Sequence, residues 1–173
     1  MANEFTIRNA KKSDAQTILK LIKELAIYEK AEDQAVASEE DILRDGFGEN
    51  PRFHCIIIEE GTAAQAAGFA LYYYNWSTWT GKSTLFLEDL YVREEARSKG
   101  YGLALLKKLA EIAKTKHCAR MCWNVLDWNT LAINFYKKLE AEILEEWRLC
   151  RLEERAIHQL AVIDLSASRS ESS

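Results

Sequence analysis

One proline and seven glycines in 173 residues leave little material for long irregular stretches. No apolar run approaches the roughly 18 residues that a membrane span needs. The start Met1-Ala2-Asn3-Glu4 lacks the basic-then-apolar pattern of a secretory signal, so neither a membrane partner nor an exported address is expected. Lys and Arg (23) are outnumbered by Asp and Glu (27), a net charge of −4, which excludes the broad basic face a nucleic-acid backbone demands. The four cysteines, Cys55, Cys118, Cys122 and Cys150, contain no C-x-x-C pair, and His54, His117 and His158 form no ligand pair with them. That spacing argues against a metal site and for reduced thiols in a cytoplasmic protein.

The chain is otherwise well supplied for a core, with 48% apolar and 10% aromatic residues. Its length suits one domain, taken as residues 1–165, and the Ser-rich end, 166–173, reads as a disordered tail. Residues 5–8 alternate as a short strand. Ser13-Asp14-Ala15-Gln16 carries a capping-box signature with Ser13 as N-cap, and Ile18, Leu21, Ile22 and Leu25 then recur at helical spacing. A second helix starts at Ser38 and runs to Gly46. Strands are expected over 53–60, 66–74 and 84–92, as an antiparallel meander. In the last of these, Leu85, Leu87, Asp89 and Tyr91 fall on one face and Phe86, Glu88, Leu90 and Val92 on the other. Leu103, Leu105, Leu106, Leu109 and Ile112 mark a strong helix over about 102–116. A strand over 120–126, a helix over 129–139 and two closing strands, 142–149 and 156–165, complete the order. The expected class is α/β (α+β), a mixed, mostly antiparallel sheet flanked by helices.

Arg97-Ser98-Lys99-Gly100-Tyr101-Gly102 lies between a strand and the strong helix. Glycine there permits a tight turn, and the free amides and dipole of the helix start suit a pyrophosphate, with Arg97 and Lys99 available to add charge. A dinucleotide fingerprint would continue with glycine, but Ala104 and Leu105 follow Gly102. Gly81-Lys82-Ser83 imitates the end of a P-loop, yet Trp76 occupies the position of its first glycine and a strand follows, so it reads as a hairpin turn.

The Arg-x-x-Gly-x-Gly run resembles the acyl-CoA-binding motif of the GNAT superfamily. Leu87-Glu88-Asp89 before it and Asn134-Phe135-Tyr136 after it stand at matching distances. Further blocks, among them Tyr28-Glu29, His54-Cys55 and Gly68-Phe69-Ala70-Leu71-Tyr72-Tyr73, resemble the spermidine/spermine acetyltransferase family across residues 5–152. Leu126-Asp127-Trp128-Asn129 is most similar to its diamine/thialysine branch. The resemblance implies an acetyl-CoA-dependent N-acetyltransferase acting on a small cationic amine, a homodimer and no metal. It implies that Glu88 accepts the amine proton and that Tyr136, beside the acetyl-CoA sulfur, is the general acid. It places Leu90, Tyr91 and Val92 along the pantetheine arm and Ser98, Lys99, Gly100, Tyr101, Gly102 and Leu103 at the pyrophosphate. Asn129, Thr130, Leu131 and Ala132 are implied to touch the cofactor again. Tyr28, Glu29, Glu88, Asp89 and Glu146 are the implied amine contacts, although Glu145 competes with Glu146 because the family's following glycine is missing. A protein lysine or N-terminus as acceptor, or a non-catalytic acetyl-CoA-binding module, are the alternative readings.

Overall fold

The computed structural model describes residues 5–164. The chain divides into two compact units, one ending at Val125 and one starting at Leu126. The first holds five strands and three helices: β1 (Phe5–Asn9), α1 (Ala15–Glu29), α2 (Glu39–Phe47), β2 (His54–Glu60), β3 (Gln65–Ser77), β4 (Lys82–Val92), α3 (Tyr101–Thr115) and β5 (Arg120–Trp123). The second holds α4 (Thr130–Lys137) and α5 (Glu154–Ala161).

The strands form one sheet in chain order, antiparallel from β1 to β4, with β5 parallel to β4. The expected mixed, mostly antiparallel sheet is what forms. Short hairpins link β2 to β3 and β3 to β4, while α3 makes the long crossover that a parallel partner requires. The Gly81-Lys82-Ser83 run is indeed part of a hairpin, with Gly81 at φ 62° and its N–H donated to the Ser77 carbonyl at 2.9 Å.

Ile18, Leu21 and Leu25 of α1 and Ile42 of α2 pack with Cys55, Ile57, Phe69, Leu71 and Tyr91, which defines one face of the sheet. Ile56 and Ile58 alternate with Ile57 and point the other way, and they too are fully buried. Leu105, Leu106, Leu109 and Ala113 form the buried stripe of α3. At about 25 cal/mol per Å² of apolar surface, each such Leu or Ile contributes about 2 kcal/mol against chain entropy.

Three local expectations need correction. Ser13 is not an N-cap: a 3-10 turn over Lys12–Asp14 precedes α1, and the Asp14 carboxylate accepts the Lys11 N–H at 2.7 Å while pairing with Arg8 at 2.7 Å. A carboxylate held by a partly buried guanidinium and a backbone donor outcompetes a lone hydroxyl for the helix entry. The segment 142–149 is not a strand but irregular, with a turn at Glu145 and Glu146, where two adjacent charged residues favour a bend in solvent over a strand. Over the expected strand 156–165, residues 156–161 form the end of α5, since Ile157, Leu160 and Ala161 repeat at helical rather than alternating spacing, and Val162 turns out of it; Leu165 and the tail lie outside the described residues.

Candidate active site

β4 pairs with β3 along its whole length but with β5 only from Thr84 to Leu87. Leu71 opposes Asp89 and Tyr72 opposes Leu87, so Glu88 is an extra residue in β4, a bulge. The bulge has two consequences. Beyond Leu87 the outer edge of β4, through Leu90, Tyr91 and Val92, is left without a partner strand among the described residues. The bulge also shifts the alternation. Asp89 shares the α1 face with Leu71 and Tyr91, whereas Leu87 and Leu85, opposite Tyr72 and Tyr74, take the far face. The expectation that Leu85, Leu87, Asp89 and Tyr91 share one face is therefore wrong, because strict alternation holds only in a strand without an inserted residue.

The open edge meets the mouth of α3. After a short turn over Glu94–Ala96, Ser98 (φ 62°) and Gly100 (φ 84°) take left-handed conformations and α3 begins at Tyr101. The first i→i−4 bond is donated by Ala104 to Gly100 at 3.0 Å, so the amides of Tyr101, Gly102 and Leu103 have no helical acceptor. Gly102 lies beside the open strand: a Cβ there would meet only Leu90 Cδ2, at 3.9 Å. The two cationic side chains of the loop are already engaged. Arg97 donates from Nε to the Val92 carbonyl at 3.1 Å and stacks 4.6 Å from the Tyr28 ring, and Lys99 pairs with Glu60 at 2.6 Å. Tyr101 is buried with its ring 5.3 Å from that of Phe5, and Leu103 is exposed. The feature left for an anion is thus backbone amides and a helix dipole rather than free side-chain charge.

The carboxylates gather on the α1 face. Burial pushes the Asp89 carboxyl up to about 6, with the nearby negative charges of Glu88 and Glu29 adding to the effect. Among the described residues Asp89 has no hydrogen-bond or ion-pair partner to relieve this burial. Glu29, at the C-terminal end of α1, is raised by burial as well. Glu88 is exposed, because the bulge carries it out of the packed ladder. Its charge acts on Tyr73, whose phenol is raised first by burial and then by Glu88, and whose ring sits 5.2 Å from Phe86. The charges of Glu29 and Glu88 both act on Asp89, with Tyr28 held through Arg97 at the same helix end. Such a cluster of partly desolvated carboxylates is a trap for an organic cation. Tyr73 was missed by sequence reasoning, although an apolar strand interrupted by two adjacent acids was a legible sign of a broken alternation.

In the second unit, Asn129 caps α4 by accepting the Ala132 N–H on its side-chain oxygen at 3.1 Å. Thr130, Leu131 and Ala132 form its first turn, with Leu131 exposed. Tyr136 is buried, its ring 5.5 Å from Phe135. Glu145 and Glu146 are both exposed in their turn. Among the described residues, no group of three or more His, Cys, Asp and Glu is arranged to hold a metal ion.

Comparison with known proteins supplies the frame for these pieces. The model of the acetyltransferase (GNAT) family matches residues 17–140. The thialysine N-epsilon-acetyltransferase of Sus scrofa is 45% identical over 164 residues, covering 90% of this chain and 96% of that protein. The human spermidine/spermine N(1)-acetyltransferase-like protein 1 is 39% identical over 165 residues, 91% of this chain and 24% of that protein. An integron cassette protein of V. cholerae superimposes with a TM-score of 0.77 at 30% identity, covering 94% of this chain and 99% of the other. The family match runs from α1 through the bulged strand and the mouth of α3 to the end of α4, and one relative aligns over nearly its whole length: the chain belongs to the GNAT family of acetyltransferases.

Proposed function

We propose that the chain transfers the acetyl group of acetyl-CoA directly to a primary amine of a small basic metabolite, a diamine, polyamine or ornithine- or thialysine-like amino acid. The observation that carries this reading is the set of carboxylates Glu29, Glu88 and Asp89 beside an unpaired strand edge that leads to the mouth of α3. The relatives named for thialysine and spermidine/spermine support the same substrate class.

Acetyl-CoA supplies an activated thioester and three phosphate groups, and the residues present suit it. The amides of Tyr101, Gly102 and Leu103, with the left-handed turn at Ser98 to Gly100, hold the diphosphate. The main chain of Leu90, Tyr91 and Val92 hydrogen-bonds the pantetheine amides as an added strand would. Asn129 with the first turn of α4 gives a further cofactor contact. Gly102 supports this assignment: in a helix, glycine costs up to about 1 kcal/mol relative to alanine, and among the described residues a Cβ there would meet only Leu90 Cδ2 in ordinary contact at 3.9 Å.

An alkylammonium with a pKa near 10.4 is only about one part in a thousand free base at neutral pH. Asp89 and Glu29 hold the cation, and Glu88, open to solvent, takes its proton directly or through water as nitrogen bonds to the acetyl carbon. Tyr136 gives its phenol proton to the departing sulfur as the C–S bond breaks, and the second proton lost by the acetylated nitrogen passes through water to restore the phenol. The chain works as a single domain over residues 1–165, in line with a family match that crosses the Val125–Leu126 boundary. It acts in the cytoplasm as a homodimer, to which Glu146 contributes an amine contact.

A thiol-release assay with acetyl-CoA and spermidine, putrescine, ornithine, lysine and thialysine tests the reading. Coenzyme release with at least one amine, abolished in Glu88→Gln, is the expected outcome. Binding of acetyl-CoA without thiol release to any amine would leave a cofactor-binding module instead.

A further inference from the structure

A cavity of about 620 Å³ in the first unit shares no residue with the site described above. It opens where β1 ends and β2 begins. His54 and Tyr72 are cross-strand partners on the sheet face opposite the carboxylates, and Tyr74 is the next residue along β3 on that face. Their rings stand 5.4 to 5.9 Å apart and form one aromatic wall. The other wall is α3, which presents Lys108, Glu111, Thr115 and Lys116. Glu111 lies 3.5 Å from Lys108 and 3.9 Å from Lys107, so its charge is answered on its own helix. Among the described residues Lys116 pairs with no carboxylate; burial first, and then Lys116, holds the His54 imidazole below its ordinary pKa. The cavity therefore combines aromatic rings set tilted or edge-to-face, phenol and hydroxyl donors and the positive charge of Lys116. Its volume falls within the range of small-molecule sites.

We propose that this cavity is a second ligand site, which takes a small flat carboxylate whose ring packs on His54, Tyr72 and Tyr74 and whose charge meets Lys116. The tilted and edge-on rings of His54, Tyr72 and Tyr74 offer a ligand ring the same edge-to-face contacts that they make with one another. The carboxylate replaces water at Lys116 with a charge-assisted hydrogen bond. The site does not depend on the acetyl-transfer reading, since none of its residues belongs to that machinery.

The test uses the full chain, labelled for amide NMR, titrated with benzoate, with benzamide as its neutral isostere and with inorganic phosphate. Saturable shifts at His54, Tyr72, Tyr74, Thr115 and Lys116 with benzoate, about tenfold weaker with benzamide and in Lys116→Glu, support the proposal. Lys116→Met gives the same loss without charge reversal, and both variants keep wild-type affinity for acetyl-CoA, which shows that they fold. Phosphate binding as tightly as benzoate removes the aromatic wall from the proposal. Benzoate shifts that are absent, that persist in both variants, or that fall on the carboxylate cluster overturn it.

Discussion

Asp89 is a carboxyl group in the wrong place for stability. Its folded-state pKa of about 6 lies above its ordinary 3.8. The native chain therefore keeps the proton where the unfolded chain has already lost it, and stability falls as pH rises across that window. Above it, the buried charge costs about 3 kcal/mol. Asp89→Asn should raise the melting temperature at pH 7.5 and leave it unchanged near pH 4, while weakening amine binding at pH 7.5. In the wild type, kcat/KM for the amine should drop as pH is lowered through about 6, and the Asn variant should lack that inflection. A variant with normal amine affinity and an unaltered pH profile would make Asp89 a mere packing defect. Tyr136→Phe belongs at the same scale: turnover should fall by about 100-fold or more, with acetyl-CoA affinity nearly unchanged. Equal turnover would remove the phenol from the chemistry.

At the scale of elements, most of the first unit was legible because its signals are local. The α1 and α3 stripes, the Ser38 cap and the hairpins follow from spacing and turn chemistry; Ser38 does accept the Asp41 N–H at 3.2 Å. The Arg97–Gly102 segment was legible as a strand-to-helix turn, but not the engagement of Arg97 and Lys99, which depends on Tyr28 and Glu60, residues far off in sequence. The bulge at Glu88 was hidden because it is a relation between β3 and β4, and one inserted residue reverses the face of everything on one side of it. Residues 142–149 misled for another reason: Glu142, Glu145, Glu146 and Arg148 interrupt their apolar residues, and the chain turns at Glu145-Glu146 instead of extending. The mouth of α3 yields its own prediction. Gly102→Ala should stabilise the fold by up to about 1 kcal/mol and yet weaken acetyl-CoA binding, read by thermal unfolding and by titration. Unchanged affinity would show that the cofactor does not approach that backbone.

For the molecule as a whole, the second unit is conspicuous for its apolar surface: Leu144, Trp147, Leu149, Leu152, Ile157 and Leu160 are all exposed, Leu149 by 82%. Surface of this kind marks an interface. Sedimentation of the wild type should give twice the 19.9 kDa chain mass, and Trp147→Asp with Leu149→Asp should give the monomer. A monomeric wild type would contradict the proposed homodimer. The net charge of −4 favours approach of a cationic amine, so activity should weaken as salt is raised. Hydrogen exchange, followed amide by amide with and without acetyl-CoA, bears most directly on how the fold grips its cofactor. Protection should appear at Leu90 to Val92 and at Ser98 to Leu103, in the strand edge and the helix mouth together. Protection confined to other segments, with those amides exchanging as before, would contradict the cofactor site described for this chain.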